Sequence, residues 1–254
     1  MIRIVIIGAG NVARHLYTAF HTSGLVKIVQ CYNRQGIIIN NHQQTIPVTD
    51  NINNLAEADI YIIAISDDAI ESVAKHMLFK DRLVVHTSGS VPMKILNDNN
   101  RKGVFYPLQT LSATKRIDYT TIPFCIEAEE KKDIVLLQKL ATTLSPKVYE
   151  ISSDQRKVLH VAAVFVNNFT NYMFSMGNEI CSEHNIPFEI LHPLISETAK
   201  KILEIPPQAA QTGPAKRNDQ NTIHSHLDIL KDDSKKELYK LLTKAIQLTY
   251  GKEL

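Results

Sequence analysis

The stretch "MIRIVIIGAGNVA", residues 1–13, constrains the fold more than any other part of the chain. An apolar β-branched run, two glycines one residue apart and a helical sequence directly after them specify strand, tight turn and helix in that order. Gly8 permits the turn, Gly10 lets the backbone approach a pyrophosphate, and Ala13 stands where the third glycine of a GxGxxG pattern would pack helix on strand. The helix start, with the N–H groups around Asn11 and Val12, then offers a positive dipole end to phosphates. The pattern therefore predicts a dinucleotide site.

The sequence that follows carries the same logic through the first half of the chain. "RIVIIG", "VKIVQCY", "ADIYIIAI" and "RLVVHTSG" read as strands, with a helix over 11–22. The strands are apolar almost throughout, as expected where helices cover both faces of a parallel sheet. "IPFCIEA", a helix near 130–144 and "KVYEI" add a further strand-helix-strand segment, while "INNHQQTIP" reads as a polar loop. Beyond residue 152 the pattern becomes helical only. Val158, Ala162, Phe165, Phe169, Tyr172, Met176 and Ile180 recur at helical spacing, which predicts one long, largely buried helix over 153–183. Further helices are expected at roughly 187–204, 220–231 and 233–250, broken by Pro206-Pro207 and Gly213-Pro214. The expected architecture is an α/β Rossmann-like domain with a mainly parallel sheet over 1–152, followed by an all-α domain over 153–254.

Strand two ends in "CYNRQ", without the carboxylate that would bind the ribose hydroxyls of NAD. Asn33 and Arg34 occupy that place, and Arg34 can pair with a 2′-phosphate, so NADP(H) is the expected cofactor. Ligands in open parallel sheets lie beyond the carboxyl ends of the strands, which makes Ser66, Ser88 and Gly89 further expected contacts. Asp67 and Asp68 can equally serve as helix caps.

Charge and cysteine content narrow the function classes. The formal charge of +2 over 254 residues contains no basic block, so neither nucleic acid nor an anionic membrane is indicated as a partner. Cys31, Cys125 and Cys181 are odd in number and far apart, consistent with reduced thiols in the cytoplasm. No run reaches membrane-spanning length, and the apolar amino terminus is too short for a signal-peptide core. "NFT" at 168–170 matches a glycosylation acceptor but lies inside a helical pattern. His224, His226 and Asp228 alternate by two, which scatters them around a helix, so no metal is expected.

Polar residues interrupt the long helix. At about 100° per residue His160, Asn167, Asn171 and Asn178 form one stripe, with Asn168 roughly 80° away. Such residues need partners, which marks the helix as the wall of a site. Late in the chain "TGPAKRNDQNTIHSHL", residues 212–227, reads either as a solvated helix start capped by Asp219 or Asn221, or as a polar segment aimed into a cleft.

The order of the glycine-rich unit, "VVHTSGS", "GVFYPLQTL", "HVAAVFVNNF" and "TGPAKRNDQNTIHSHL" resembles the NADP-dependent oxidoreductases that join a Rossmann-like domain to a helical C-terminal domain of unknown function. These are similar in turn to pyrroline-5-carboxylate reductases, ketopantoate reductases and 6-phosphogluconate dehydrogenase-like proteins. The resemblance implies a substrate site and homodimer interface in the helical domain. It carries over to His160, Asn168, Thr212 to Ala215, Arg217, Asp219 and His226. Two positions depart from the pattern: Tyr106-Pro107 replaces a His-Pro pair, and Arg217-Asn218-Asp219 replaces Arg-Gly-Asp. The resulting expectation is an enzyme that reduces a small carbonyl or imine compound by hydride transfer from NADPH. His160 would act as general acid or orient substrate, Asn168 would hold the group being reduced, and Arg217, with Asp219 beside it, would anchor an anion. The alternative expectation is a non-catalytic NADP(H)-binding sensor that keeps the fold.

Overall fold

A computed structural model describes residues 1–37, 46–113 and 115–250. The segment expected as a polar loop, "INNHQQTIP", falls outside the described residues up to Thr45. Two compact units are present, Met1–Ala163 and Val164–Leu254.

The first unit is built on one eight-stranded sheet. Its strands are β1 (Ile2–Ile7), β2 (Val26–Tyr32), β3 (Val48–Thr49), β4 (Ile60–Ile63), β5 (Leu83–His86), β6 (Arg101–Pro107), β7 (Phe124–Ala128) and β8 (Val148–Glu150). They lie in the order β3-β2-β1-β4-β5-β6-β7-β8. Every pairing is parallel except β6 with β7, so the carboxyl ends of β1, β2, β4, β5 and β6 share one edge. Order reverses at β1, which sends β2 to one side and β4 to the other and opens a crevice between them. Strand β6 and the two-residue β3 are additions to the strands expected from sequence.

Side chains alternate across the sheet, and both faces are buried. Ile4 and Ile6 pack with Leu16, Phe20, Leu83, Phe105 and Leu140 on one face. Val5 and Ile7 pack with Tyr61, Ile63, Ile70 and Met77 on the other. Period two with both faces covered is why the strands contain so few polar residues. Helix α1 (Asn11–Ser23) buries Ala13, Leu16, Tyr17 and Phe20, the spacing of one helical face, and ends at Gly24 in the left-handed conformation. Burying a side chain such as Phe20 contributes about 1.5–3 kcal/mol. Helix α2 (Ile70–Lys75) follows β4 and helix α3 (Lys131–Thr142) follows β7.

Helical sequence begins at α4 (Ser153–Ala163), two residues after β8, whereas the compact units divide after Ala163. The difference arises because the buried Arg156 ties the first turns of α4 to the sheet unit. Residues Val164–Phe169 then adopt π-helical geometry, and α5 (Thr170–Glu183) resumes the α-helix. The second unit continues with α6 (His192–Glu204), the single turns α7 (Pro207–Ala210) and α8 (Pro214–Arg217), α9 (Gln220–Ile229) and α10 (Asp233–Tyr250).

One expectation needs correction: the long helix is not buried within a single chain. Phe165 is 63% exposed and Val166 73%, and Val158, Val161, Phe169 and Tyr172 are exposed as well. Apolar periodicity marks a face that favours being covered but does not say by what. Cys31, Cys125 and Cys181 are free and buried, and burial pushes the Cys31 thiol up to about 12. Among the described residues no helix is long and apolar enough to cross a membrane.

Candidate functional site

The glycine turn is built by two glycines that act differently. Gly8 donates its N–H to the Tyr32 carbonyl at 2.8 Å, has φ +133°, and would place a Cβ 2.1 Å from the Ala64 carbonyl oxygen. Both the backbone conformation and the close approach of β4 exclude any side chain there. At Gly10, by contrast, a Cβ would meet no atom of the described residues within 4 Å. Nothing in the protein requires glycine at that position, so the open space in front of it is what the glycine preserves. Gly10 is also the N-cap of α1; it offers no capping side chain, and the first turn of the helix holds no acidic residue. The helix start therefore keeps its positive end and its N–H groups available to an anion. The Arg14 side chain donates to the Ala9 carbonyl at 2.9 Å and steadies the turn, and Ala13 is fully buried under it.

In front of this turn lies a cleft of about 990 Å³. Gly8, Gly10, Asn11, Val12, Asn33, Arg34 and Ser66 line it, as do Ser72, Val73 and His76, which sequence reasoning missed. The latter three come from the end of β4's crossover helix and its cap, a segment without a motif. Its position after a strand bordering the crevice was the available signal. Among the described residues no carboxylate lines the cleft. Asn33 is buried and its amide shapes the turn: its oxygen accepts from the N–H groups of Gln35 (3.3 Å) and Ile37 (2.8 Å), and its nitrogen donates to the Ile37 carbonyl (2.8 Å). Arg34 is exposed beside it, carried on the turn that Asn33 holds.

Ser88 and Gly89 do not line this cleft; they belong to a second polar cluster at the ends of β5 and β6. The Ser88 hydroxyl accepts from the N–H groups of Ser90 and Val91, and the Ser90 hydroxyl donates to Asp67 at 2.6 Å. Asp67 thus braces the β5 loop. Gly89 is buried where two side chains converge: a Cβ on it would lie 2.7 Å from His160 Nδ1 and 2.9 Å from the Tyr106 hydroxyl oxygen. Those two atoms are 3.4 Å apart, and the rings meet edge to face. Burial raises the Tyr106 phenol above its ordinary range, Cys125 and Asp67 adding to the effect and Arg156 opposing it. Beneath the loop His86 accepts from the Ser88 N–H and is held neutral, with burial and then Arg156 lowering it to about 4.

The remaining expected residues belong to the second unit. Asn167 and Asn168 are both exposed and both lie in the π-helical segment, so counting at the α-helical angle fails at the place where it was needed to choose between them. Asp219 caps α9: its oxygens accept from the Thr222 N–H (3.1 Å) and hydroxyl (2.8 Å), and these bonds lower its carboxyl below the usual range. Arg217 ends α8 and is exposed. Asn218, between them, has φ +55°, and its side-chain oxygen accepts from Gln220 and Gln247. Asparagine tolerates this left-handed conformation, so its substitution for glycine keeps the backbone path. The His226 ring pairs with the Tyr239 hydroxyl at 2.8 Å.

Strand order, glycine turn and the cleft beyond it define a Rossmann-like α/β protein carrying a helical C-terminal region. Residues 3–89 match the family described as NADP oxidoreductase, coenzyme F420-dependent, and residues 122–246 match the domain of unknown function DUF2520. A candidate NADP oxidoreductase of known structure from Bacteroides fragilis is 39% identical, with 96% of this chain and 97% of that one covered and a TM-score of 0.85. The chain belongs to this family, in which an NADP oxidoreductase domain precedes a DUF2520 domain. More distant structures share the fold. A Thermotoga maritima protein is 18% identical (97% and 98% covered, TM-score 0.73), and an imine reductase from Myxococcus stipitatus in complex with NADP+ is 13% identical (98% and 96% covered, TM-score 0.67). A comparison with curated proteins finds no significant match.

Proposed function

We propose that the protein is an NADP(H)-dependent reductase of a small carbonyl or imine compound. The observation that carries this reading is the space in front of Gly10, open to the uncapped start of α1 and flanked by Arg34 in a cleft where no carboxylate is found among the described residues. A pyrophosphate fits the helix start, and a 2′-phosphate fits the guanidinium better than a bare ribose does. The cofactor supplies the hydride when bound. This chain's residues would bind it, orient the substrate and deliver the proton. His160 is the general acid or its partner, Asn168 holds the polar group being reduced, and Arg217 anchors an anionic part of the substrate. Asp219, whose carboxylate caps α9, is placed at the same site two residues beyond Arg217. The exposed apolar residues of the long helix support a homodimer.

The test is a fluorescence titration with NADPH and NADH on the parent and on Arg34→Ala, followed by NADPH oxidation with 2-oxo acids and cyclic imines. Loss of the preference for NADPH in Arg34→Ala, with NADH binding kept, is expected. Equal affinity for both cofactors in both proteins overturns the cofactor assignment. Tight binding without turnover across the panel favours a sensor.

A further inference from the structure

We propose that Tyr106 is the proton donor of the reduction and that His160 recharges it, so that the acid is a two-residue relay assembled over Gly89. The proposal rests on the reductase reading and deepens it.

Three observations converge. First, Gly89 is the point of contact. Any side chain there would collide with both rings, at 2.7 Å from the imidazole and 2.8 Å from the phenol, so glycine is what allows the pair to form over the β5 loop. Second, the pair stands at the correct end of the sheet. The glycine turn follows β1, Ser66 follows β4, Gly89 follows β5 and Tyr106 closes β6, all on the same edge. At about 4.8 Å per strand, Gly89 lies roughly 10 Å along the edge from the pyrophosphate turn, on the side away from Arg34, which matches the reach of the second half of a dinucleotide. Third, the environment suits a phenol that donates. A phenol is protonated at neutral pH in any case, and the burial that makes it a weaker acid is opposed by the buried cation Arg156, which favours the phenolate that proton donation leaves behind.

The hydrogen-bond direction decides which residue meets the substrate. A phenol has one proton. If His160 carries its proton on Nδ1 and donates to the Tyr106 oxygen, the phenolic proton is free to point at the substrate heteroatom. The hydride forms the new C–H bond, the π pair of C=O or C=N moves to the heteroatom, and that atom takes the Tyr106 proton. As the phenolate takes the Nδ1 proton of His160, the ring's Nε2 takes one from solvent, so the imidazole stays neutral and returns to the Nδ1–H form by exchange with solvent. Net consumption is one hydride and one solvent proton. The present 3.4 Å separation is long for a hydrogen bond and is the kind of distance that shortens when a site fills.

Two measurements on the full chain test this. In ¹⁵N-edited NMR with NADPH added, His160 should carry its proton on Nδ1 in the parent and move it to Nε2 in Tyr106→Phe, where the acceptor is gone. An unchanged tautomer overturns the pair whatever the activity. In NADPH oxidation with 2-oxo acids and cyclic imines, Tyr106→Phe should lower kcat about 100-fold or more with KM and NADPH affinity unchanged. Gly89→Ala should lower kcat similarly by pushing the rings apart. Full kcat in Tyr106→Phe overturns the donor assignment and leaves the reductase reading intact. No turnover by the parent sinks the reductase reading, and the tautomer still judges the pair.

Discussion

The guanidinium of Arg156, 1% exposed, is held 2.5 Å from the Glu127 carboxylate, which joins the first turn of α4 to strand β7. A second guanidinium nitrogen donates to the Val91 carbonyl at 2.6 Å, and Glu127 also accepts from the N–H and hydroxyl of Ser153. His160 sits one helical turn beyond Arg156, so this network sets the distance between His160 and the β5 loop that carries Gly89.

A buried ion pair is more costly to break than to omit. Arg156→Met is expected to lower stability by about 3–5 kcal/mol, because Glu127 keeps its charge without its partner. Arg156→Met combined with Glu127→Gln should recover part of that loss. Urea denaturation of the four proteins gives the coupling, and additivity within about 0.5 kcal/mol would show that the two residues act independently.

Gly8 and Gly10 should separate folding from binding. Gly8→Ala forces a Cβ into the Ala64 carbonyl at a positive φ, so a large fall in melting temperature or loss of soluble protein is expected. Gly10→Ala has room for its methyl within the protein and should melt near the parent temperature, while NADPH affinity falls about 10-fold or more, since the methyl occupies the phosphate's approach. Unchanged NADPH affinity in Gly10→Ala would remove the pyrophosphate from this turn.

What the sequence reveals and hides follows from the kind of signal each residue leaves. β4 is buried throughout and reads as an unbroken apolar run, and β1, β2 and β5 read as nearly so, interrupted by Arg3, by Lys27 and Gln30, and by His86. β6 is just as central, yet it begins Arg-Lys-Gly. Lys102 survives there by pairing with Asp98 and Glu129, and Gly103 is needed because a Cβ would lie 2.8 Å from the Glu127 carbonyl. Those are tertiary reasons, invisible to local pattern. The glycine turn was legible because its conformational demand is local. The convergence of Gly89, Tyr106 and His160 was not, since it joins three segments far apart in sequence. Against the pattern of the resembled family Tyr106 stands in place of a histidine, and the proposed role for it comes from its neighbour His160. Asn218 likewise looked like a lost glycine until its left-handed backbone showed the conformation retained.

His86 makes stability depend on pH. Its folded-state pKa is lowered from 6.5 to about 4, so the unfolded chain binds the additional proton between those values. The stabilisation is complete above pH 6.5 and is lost as pH falls towards 4, with a total on the order of 3 kcal/mol. His86→Asn keeps an acceptor for the Ser88 N–H and cannot become charged. Its stability curve should be flatter than the parent's between pH 6.5 and 4. Parallel curves, compared by urea denaturation at each pH, would mean that His86 protonates without opposition in the fold.

The exposed apolar side of the long helix carries the last expectation. Val158, Val161, Phe165, Val166, Phe169 and Tyr172 lie along residues 158–172 and remain open to solvent in the single chain. An apolar face of that length is costly to leave wet, and a second copy would cover it with the same residues through an isologous contact. Phe165→Lys combined with Val166→Lys places like charges on both sides of such a contact. By sedimentation velocity the parent is expected as a dimer and the double variant as a monomer, with the folded Rossmann-like unit retained by circular dichroism. A parent that sediments as a monomer at tens of micromolar would show that this face is covered by something other than a second copy.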